Sequence, residues 1–260
     1  MDQAATAEAV CLDLNDNHNK RYFKRAGLMS LLFLCQNVEY MHQNTINLNL
    51  DVPYYQLGEC DESTKVIWFV LHGYGQLGKY FIQKFKYLEQ AGHLIVAPQG
   101  MSKFYLDGHS GRVGANWMTS DDRQRDIENN DIYLSALYES FRSIANYKVK
   151  FGMLGFSQGA STLTRWISRN AIMHDLLVLW GGFFAKEIVD SKNLDTFQAK
   201  ISHIYLSNTD HFIPETKINE MRNFMHSVNF PIQWHSYEGG HKIPGRLVPE
   251  LAALIDGEPS

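Results

Sequence analysis

The pentapeptide Gly155-Phe156-Ser157-Gln158-Gly159 contains the side chain of this sequence that is best placed to act as a nucleophile. A short apolar stretch typical of a strand precedes it, and residues 158–170 have the pattern of a helix. A Gly-x-Ser-x-Gly sequence between a strand and a helix forms a sharp turn that exposes the serine hydroxyl at the first turn of the helix. The N–H groups and the positive dipole end of that helix then face any anion formed there. The alternative, a chance pentapeptide, is disfavoured by the flanking strand and helix.

A serine hydroxyl becomes a good nucleophile only when a base removes its proton, and an acid must orient that base. In hydrolases with this turn, the chain order is serine, then the acid, then histidine. Asp210 follows a strand predicted over residues 201–206, which places it at the same sheet edge as Ser157. We predict Asp210 as the acid, with a helix-cap or turn role as the alternative. The other candidates lie at the opposite edge, in a loop or in a helix: Asp175, Asp190 and Asp195.

His241 is the predicted base. It ends the segment Tyr237-Glu238-Gly239-Gly240-His241, a glycine-rich loop after the last predicted strand. The glycines give this loop the freedom to bend the histidine over the sheet edge to Ser157. Other histidines are less well placed because they fall inside strands, in a helix or directly beside Asp210: His203, His235, His226 and His211.

Acyl transfer also needs two fixed N–H donors for the oxyanion that develops at the carbonyl. The residue after the nucleophile supplies one, here the backbone N–H of Gln158. The second comes from the loop after a buried strand, and the apolar run over residues 65–71 is followed by His72-Gly73-Tyr74-Gly75-Gln76. Glycines on both sides of Tyr74 allow its amide to turn inward. We therefore predict the Tyr74 N–H as the second donor.

Strand and helix patterns alternate along most of the chain, which predicts βαβ units and a mostly parallel sheet in an α/β fold. A long loop over residues 98–120 carries aromatic residues and several glycines. The predicted strands cover residues 65–71, 93–97, 148–154, 175–180, 201–206 and 232–237. The predicted helices cover residues 77–90, 121–146, 158–170, 193–199, 215–227 and 245–255.

The N-terminal part differs from the rest. We predict residues 1–40 as an extension that is poorly ordered or peripheral, and residues 41–260 as the folded domain. Residues 20–35 join a basic stretch to an apolar one, as in a signal peptide, but no small-x-small cleavage site follows. A cytoplasmic location is therefore predicted, with export as the minor alternative. Alternating apolar residues over 46–52 predict a half-buried strand that pairs with residues 53–58.

Composition excludes several classes of protein. A net charge of −4 argues against nucleic acid as a partner, and no apolar run is long enough to span a bilayer. No Gly-x-Gly-x-x-Gly follows the first strand, which makes a dehydrogenase the weaker hypothesis. Three unclustered cysteines favour neither a disulfide framework nor a metal site: Cys11, Cys35 and Cys60. We expect a small-molecule partner and either a monomer or a homodimer.

Four motifs resemble the phospholipase/carboxylesterase family of the α/β-hydrolase superfamily, which includes acyl-protein thioesterases. They span about residues 43–255 and are Leu71-His72-Gly73-Tyr74-Gly75, Gly155-Phe156-Ser157-Gln158-Gly159, Asp210-x-x-Ile213-Pro214 and Tyr237-x-Gly239-Gly240-His241. The resemblance implies an α/β-hydrolase fold, with helices flanking a mostly parallel central sheet. It also implies a catalytic triad of Ser157, Asp210 and His241, with Tyr74 and Gln158 amides as the oxyanion hole.

We therefore expect a serine hydrolase that cleaves carboxylic esters through an acyl-enzyme and requires no metal or cofactor. Trp117 resembles the family's tryptophan beside the acyl pocket, and Phe104 and Phe156 are further candidates for that pocket. The chain departs from the family pattern at Tyr74, at Gln76 and at Leu206-Ser207, which leaves the substrate open. Tyr74 and the aromatic-rich loop over residues 98–120 would narrow an acyl groove, which favours short to medium acyl groups over long lipid chains. Three alternatives stay open: an acyl-protein thioesterase, a lysophospholipase, and a hydrolase-fold binding protein without activity.

Overall fold

The structure is a computed structural model that describes residues 42–145, 148–192, 194–197 and 202–257. The chain divides into two compact units between Leu50 and Asp51. In the first unit, residues 42–50 contain no helix or strand, and their side chains are exposed. The predicted extension over residues 1–40, including the signal-like segment over 20–35, lies outside the described residues.

A seven-stranded sheet organises the described part of the second unit. Its strand order is β1-β3-β2-β6-β7-β8-β9, with β1 antiparallel to β3 and every other neighbouring pair parallel. Strands β4 and β5 form a separate antiparallel hairpin. The strands are β1 (Tyr54–Leu57), β2 (Val66–Leu71), β3 (His93–Pro98), β4 (Ser102–Tyr105), β5 (Val113–Asn116), β6 (Lys150–Phe156), β7 (Leu176–Trp180), β8 (Ser202–Ser207) and β9 (Ile232–Tyr237).

Helices connect these strands in the described residues. Short 3-10 segments cover Ile82–Phe85, Asp195–Phe197 and Gly245–Leu247. Within the described ranges, none of the helices combines the length and the apolar character needed to cross a membrane. The helices are α1 (Gly78–Phe81), α2 (Lys86–Gln90), α3 (Arg123–Arg142), α4 (Gln158–Asn170), α5 (Lys186–Ser191), α6 (Glu215–Ser227) and α7 (Glu250–Asp256).

The two faces of the sheet carry two separate hydrophobic clusters. Successive side chains of a strand point to opposite faces, so β2 contributes to both clusters. Ile67, Phe69 and Leu71 pack in the cluster that includes buried residues of α3, α4 and α6. The alternate residues Val66, Trp68 and Val70 pack in the cluster that includes α1, α2 and α7. All six side chains of β2 are buried, as its continuous apolar sequence predicts for a strand covered on both faces.

Most predicted elements agree with the structure. The bounds of α4, α6 and β9 are those predicted. The predicted helix over 77–90 is present as α1, a 3-10 segment and α2 in succession. The short helix α5 was not predicted, and neither was the hairpin of β4 and β5, which lies inside the segment predicted as the 98–120 loop.

The strand predicted over residues 46–52 is wrong. No strand occurs between residues 42 and 53, and Ile46, Leu48 and Leu50 are largely exposed. The segment expected to pair with it instead forms β1, which pairs with β3. Alternation of apolar and polar residues describes a surface that fits a sheet, but it does not supply a neighbouring strand or a core to cover it.

Phe69 offers a test of the larger cluster. Its ring centroid lies 5.8 Å from that of Tyr138, 6.0 Å from that of Phe141 and 6.2 Å from that of Trp166. Because Phe69 is fully buried, Phe69→Ala should lower the free energy of unfolding by about 3–5 kcal/mol, measured by urea denaturation. The exposed Ile132→Ala on α3 serves as the control and should change it by less than about 0.5 kcal/mol. Equal effects of the two substitutions would contradict this account of the core.

Candidate active site

Ser157 occupies the sharp turn between β6 and α4. Its backbone has φ 53° and ψ −119°, a combination that costs a non-glycine residue about 1–3 kcal/mol. Glycines on both sides make the turn possible. A Cβ added at Gly159 would lie 2.3 Å from the Leu71 carbonyl oxygen, and one added at Gly155 would lie 2.5 Å from the Ala160 Cα. The backbone on either side of the serine therefore has no room for a side chain.

Ser157, His241 and Asp210 form a continuous series of hydrogen bonds. The His241 Nε2 atom lies 2.9 Å from the Ser157 hydroxyl oxygen, and its Nδ1 atom lies 2.6 Å from the Asp210 Oδ2 atom. The Asp210 side chain is only 2% exposed, and its Oδ1 atom accepts a hydrogen bond from the Phe212 N–H at 2.9 Å. The structure thus brings together the nucleophile, base and acid candidates, although 84 residues separate Ser157 from His241.

The loops that carry Asp210 and His241 are joined to each other. Asp210 lies in the loop after β8 and His241 in the loop after β9. The Gly240 N–H is shared between the Ser207 hydroxyl oxygen at 2.9 Å and the Thr209 hydroxyl oxygen at 3.0 Å. Ser207 therefore helps to place His241 opposite Asp210. Sequence reasoning noted Ser207 only as a departure from the family pattern, which was the one signal that it has a local role.

Hydrogen bonds shape the backbone of the loop at residues 73–76. The Gly73 N–H donates to the Gln76 side-chain oxygen at 2.9 Å, and the Gly75 N–H donates to the Ala115 carbonyl at 2.8 Å. The Gln76 N–H donates to the Gly73 carbonyl at 3.2 Å. Among the described residues, the Tyr74 N–H has no acceptor, so it is the one amide of this loop that is left available.

The available amide lies near the serine. A Cβ added at Gly73 would lie 3.2 Å from the Ser157 Cβ, so the chain entering loop 73–76 passes directly beside the nucleophile. Gln158 begins α4, and the first N–H groups of a helix have no partner within it. The two amides predicted as the oxyanion hole therefore belong to the two segments that flank Ser157.

Hydrogen bonds of the His72 side chain hold the start of loop 73–76 in place. Its Nε2 atom accepts a hydrogen bond from the Gly100 N–H at 3.0 Å, which leaves the proton on Nδ1. The Nδ1–H then donates to the Gly73 carbonyl at 2.8 Å. Burial disfavours the charged ring and lowers the pKa of His72 to about 4, so the imidazole stays neutral and keeps this pattern of hydrogen bonds at pH 7.

Two of the three predicted pocket residues are buried and contact other residues of the site. Trp117 is 2% exposed, and its indole N–H donates to the His72 carbonyl at 2.8 Å. Its backbone N–H donates to the Gln158 side-chain oxygen at 3.1 Å. Phe156 is 3% exposed and packs against His241, with 4.9 Å between ring centroids. Both side chains leave little exposed surface, and their assignment to a substrate pocket stays a prediction.

Three aromatic side chains that are at least partly exposed belong to the loops around the site. Phe104 is partly buried, and its ring lies 5.1 Å from that of the largely exposed Tyr74. Phe212 is 78% exposed, and its ring lies 5.0 Å from that of His241. Sequence reasoning missed Phe212, although its position two residues after Asp210 was a usable signal. These three rings provide apolar surface beside the site.

Buried histidines make the stability of the fold dependent on pH. Burial lowers the pKa of His72 and that of His203 to about 4, whereas an unfolded histidine has a pKa of about 6.5. Below pH 6.5 the unfolded state therefore binds more protons than the folded state. The free energy of unfolding should fall as the pH falls from about 6.5 to about 4, by up to about 2 kcal/mol for each histidine by pH 5.

Urea denaturation at pH 7.5 and pH 5 measures this loss of stability. In His203→Leu the loss between the two pH values should be smaller than in the wild type, because one of the buried groups is removed. The exposed His226→Gln on α6 is the control and should leave the loss unchanged. An equal loss in His203→Leu and in the wild type would contradict the assignment.

Several solved protein structures are similar to this one. No curated protein sequence matches the chain. The acyl-protein thioesterase 2 of Zea mays has 16% identity and a TM-score of 0.61, and the match covers 80% of this chain and 99% of that one. The esterase PE8 has 17% identity and a TM-score of 0.62, covering 81% and 100%. A carboxylesterase from Mesorhizobium loti has 16% identity and a TM-score of 0.61, covering 79% and 95%.

These similarities, together with the mostly parallel sheet flanked by helices, show the α/β-hydrolase fold. A family model described as "Serine hydrolase (FSH1)" matches residues 62–248 of the 260. The matched region contains the sharp turn at Ser157 and the loops that carry Asp210 and His241. The chain belongs to the FSH1 family of serine hydrolases.

Proposed function

We propose that this serine hydrolase cleaves carboxylic esters with short to medium acyl groups through a covalent acyl-enzyme. The observation that carries the proposal is the hydrogen-bonded series from Ser157 through His241 to the buried Asp210. A hydroxyl, an imidazole and a carboxylate in this order are the components of nucleophilic acyl transfer.

In the first half of the reaction, the Ser157 oxygen attacks the ester carbonyl while His241 Nε2 takes the hydroxyl proton. Asp210 holds the Nδ1–H of His241, which keeps the accepting nitrogen directed at Ser157 and stabilises the imidazolium that forms. The proton then passes from His241 to the departing alcohol oxygen. The acyl group remains on Ser157 as an ester.

The negative charge on the carbonyl oxygen would be received by the N–H groups of Tyr74 and Gln158. Both are fixed before the substrate arrives, because loop 73–76 is held by its own hydrogen bonds and Gln158 begins α4. Fixed donors need no reorganisation during the reaction, and the loss of one such donor costs about 10²–10³ in kcat in other enzymes.

In the second half, His241 removes a proton from water, which attacks the acyl-enzyme, and the protonated histidine returns that proton to the Ser157 oxygen. The exposed rings of Tyr74 and Phe212, and Phe104 beside Tyr74, supply the apolar surface for a short to medium acyl group.

The same steps would cleave a thioester, and the Zea mays acyl-protein thioesterase shares the fold. Turnover of a butyryl thioester beside 4-nitrophenyl butyrate would rank the two bond types.

Replacement of the nucleophile is the direct test. Ser157→Ala should lower the turnover of 4-nitrophenyl butyrate by at least about 10⁴-fold while the circular dichroism spectrum stays unchanged. A fluorophosphonate should add a single phosphonyl mass to the peptide that contains Ser157, as the serine oxygen displaces fluoride. Ser140→Ala, an exposed serine on α3, is the matched control and should keep both turnover and labelling. Retained turnover in Ser157→Ala would refute the proposal.

The side chain of Gln76 tests whether the shape of loop 73–76 matters to the reaction. Gln76→Leu removes the oxygen that accepts from the Gly73 N–H, so the Tyr74 amide should lose its fixed direction. We expect kcat for 4-nitrophenyl butyrate to fall by about tenfold or more, toward the loss of a full oxyanion donor, with a smaller change in KM. The exposed Gln124→Leu on α3 is the control. An unchanged kcat in Gln76→Leu would contradict this role.

A further inference from the structure

A cavity of about 660 Å³ lies against loop 73–76. Its volume is within the range of pockets that hold small molecules. Two residues of the loop itself, Gly75 and Gln76, contribute to its wall. The other lining residues come from the segment around α1 and from the hairpin of β4 and β5: Leu77, Lys79, Tyr80, Phe81, Lys84, Leu106, Gly111, Arg112 and Val113.

The backbone of loop 73–76 limits the distance between the serine and the cavity. A Cβ added at Gly73 would lie 3.2 Å from the Ser157 Cβ, and Gly75 follows two residues later. Because consecutive Cα atoms are about 3.8 Å apart, the Gly75 Cα lies within about 12 Å of the Ser157 Cβ. A substrate whose ester carbonyl is at Ser157 would therefore need an extension of at most about 12 Å to reach the part of the lining formed by Gly75.

The charge of the cavity is opposite to that of the whole chain. Its lining contains three cationic side chains, Lys79, Lys84 and Arg112, whereas the chain has a net charge of −4. No acidic side chain is among the described residues that line it. Arg112 forms an ion pair with Asp107 at 3.4 Å, but both side chains are more than 70% exposed, and such a pair contributes little. Lys79 also lies over the ring of Tyr80, at 4.9 Å from its centroid.

The wall of the cavity also has an apolar part. Phe81 is buried, and its ring lies 6.1 Å from that of Phe156, which packs against His241. Leu106 and Val113 contribute partly exposed side chains. A lining that joins apolar surface to several cations fits a short carbon chain that ends in a carboxylate or a phosphate, since Lys and Arg are the side chains that pair with these anions.

We propose that this cavity binds an anionic group of the substrate, so that the preferred esters carry a carboxylate or a phosphate a few carbon atoms from the scissile bond. The proposal rests on the proposed ester hydrolysis at Ser157 and adds the substrate class. Both kinds of ester share the anionic group that the cavity would bind. Whether it belongs to the acyl part or to the alcohol part of the ester is decided by the substrates in the experiment.

The experiment compares matched pairs of neutral and anionic esters. For the acyl side, the pair is mono(4-nitrophenyl) glutarate and its methyl ester, in which the carboxylate is masked. For the alcohol side, the pair is 1-butyrylglycerol 3-phosphate and 1-butyrylglycerol. The measured quantity is the ratio of kcat/KM for the anionic ester to that for its neutral partner. In the wild type this ratio should exceed one in at least one pair and should fall as NaCl is raised from 20 to 500 mM, because salt screens exposed charges.

Variants assign the preference to the cavity. In the triple variant Lys79→Gln, Lys84→Gln, Arg112→Gln, the ratio should fall by at least about threefold, and by up to about a hundredfold if each cation contributes as much as a strong exposed ion pair. The control is Arg142→Gln, Lys186→Gln, Lys217→Gln, which removes the same charge from exposed residues outside the cavity lining. It should leave the ratio unchanged.

The outcomes separate this proposal from the proposed function. If the neutral esters are hydrolysed but neither anionic ester is preferred, or if both triple variants lower the ratio equally, the anion site is refuted and ester hydrolysis stands. If no ester is hydrolysed, the proposed function fails, and calorimetry then decides on the site alone. Monomethyl glutarate or glycerol 3-phosphate should bind the Ser157→Ala protein and not the same protein with the three cavity substitutions; equal binding to both, or to neither, refutes the site.

Discussion

The site depends on the close approach of the turn at Ser157 to the end of β2. Gly159 lies so near the carbonyls of Leu71 and His72 that an added Cβ would be 2.3 Å and 2.6 Å from their oxygens. This contact sets the distance between the nucleophile and the loop that leaves β2. It also explains why a strained φ of 53° persists at Ser157, since packed glycine backbone on both sides leaves the turn no alternative path.

The parallel sheet supplies the second part of the geometry. Strands β2, β6, β8 and β9 run in the same direction, so their carboxyl ends meet at one edge, and the segments after them carry Tyr74, Ser157, Asp210 and His241 in turn. Sheet geometry alone leaves these loops free to move. Ser207 removes part of that freedom by accepting from the Gly240 N–H, and Gln76 does the same within loop 73–76. The cost of ordering the site is therefore met during folding and not during each turnover.

A feature could be predicted from the sequence when it depends on residue types and their order, and not on contacts that only the fold creates. Ser157, Asp210 and His241 were identifiable because the chemistry requires their types, their order and their places after strands. The long helices were predictable from their periodicity. In contrast, Gln76 and Trp117 act through hydrogen bonds to residues placed by the fold, and no local pattern shows that the indole of Trp117 is turned inward to the His72 carbonyl. The strand expected over residues 46–52 failed for the same reason, because alternation does not reveal whether a partner strand exists.

Loop 73–76 contributes both to the proposed reaction and to the proposed choice of substrate. Gly73 lies beside Ser157 at the start of the loop, while Gly75 and Gln76 form part of the wall of the cationic cavity. Tyr74 and Gln76 are also two of the positions at which this chain departs from the phospholipase/carboxylesterase pattern. One short segment would thus fix the donor for the reaction and border the surface that selects the substrate. On this assignment, the triad and the sharp turn determine which bond is cut, and the side chains of this loop and the hairpin opposite it determine which ester reaches the serine.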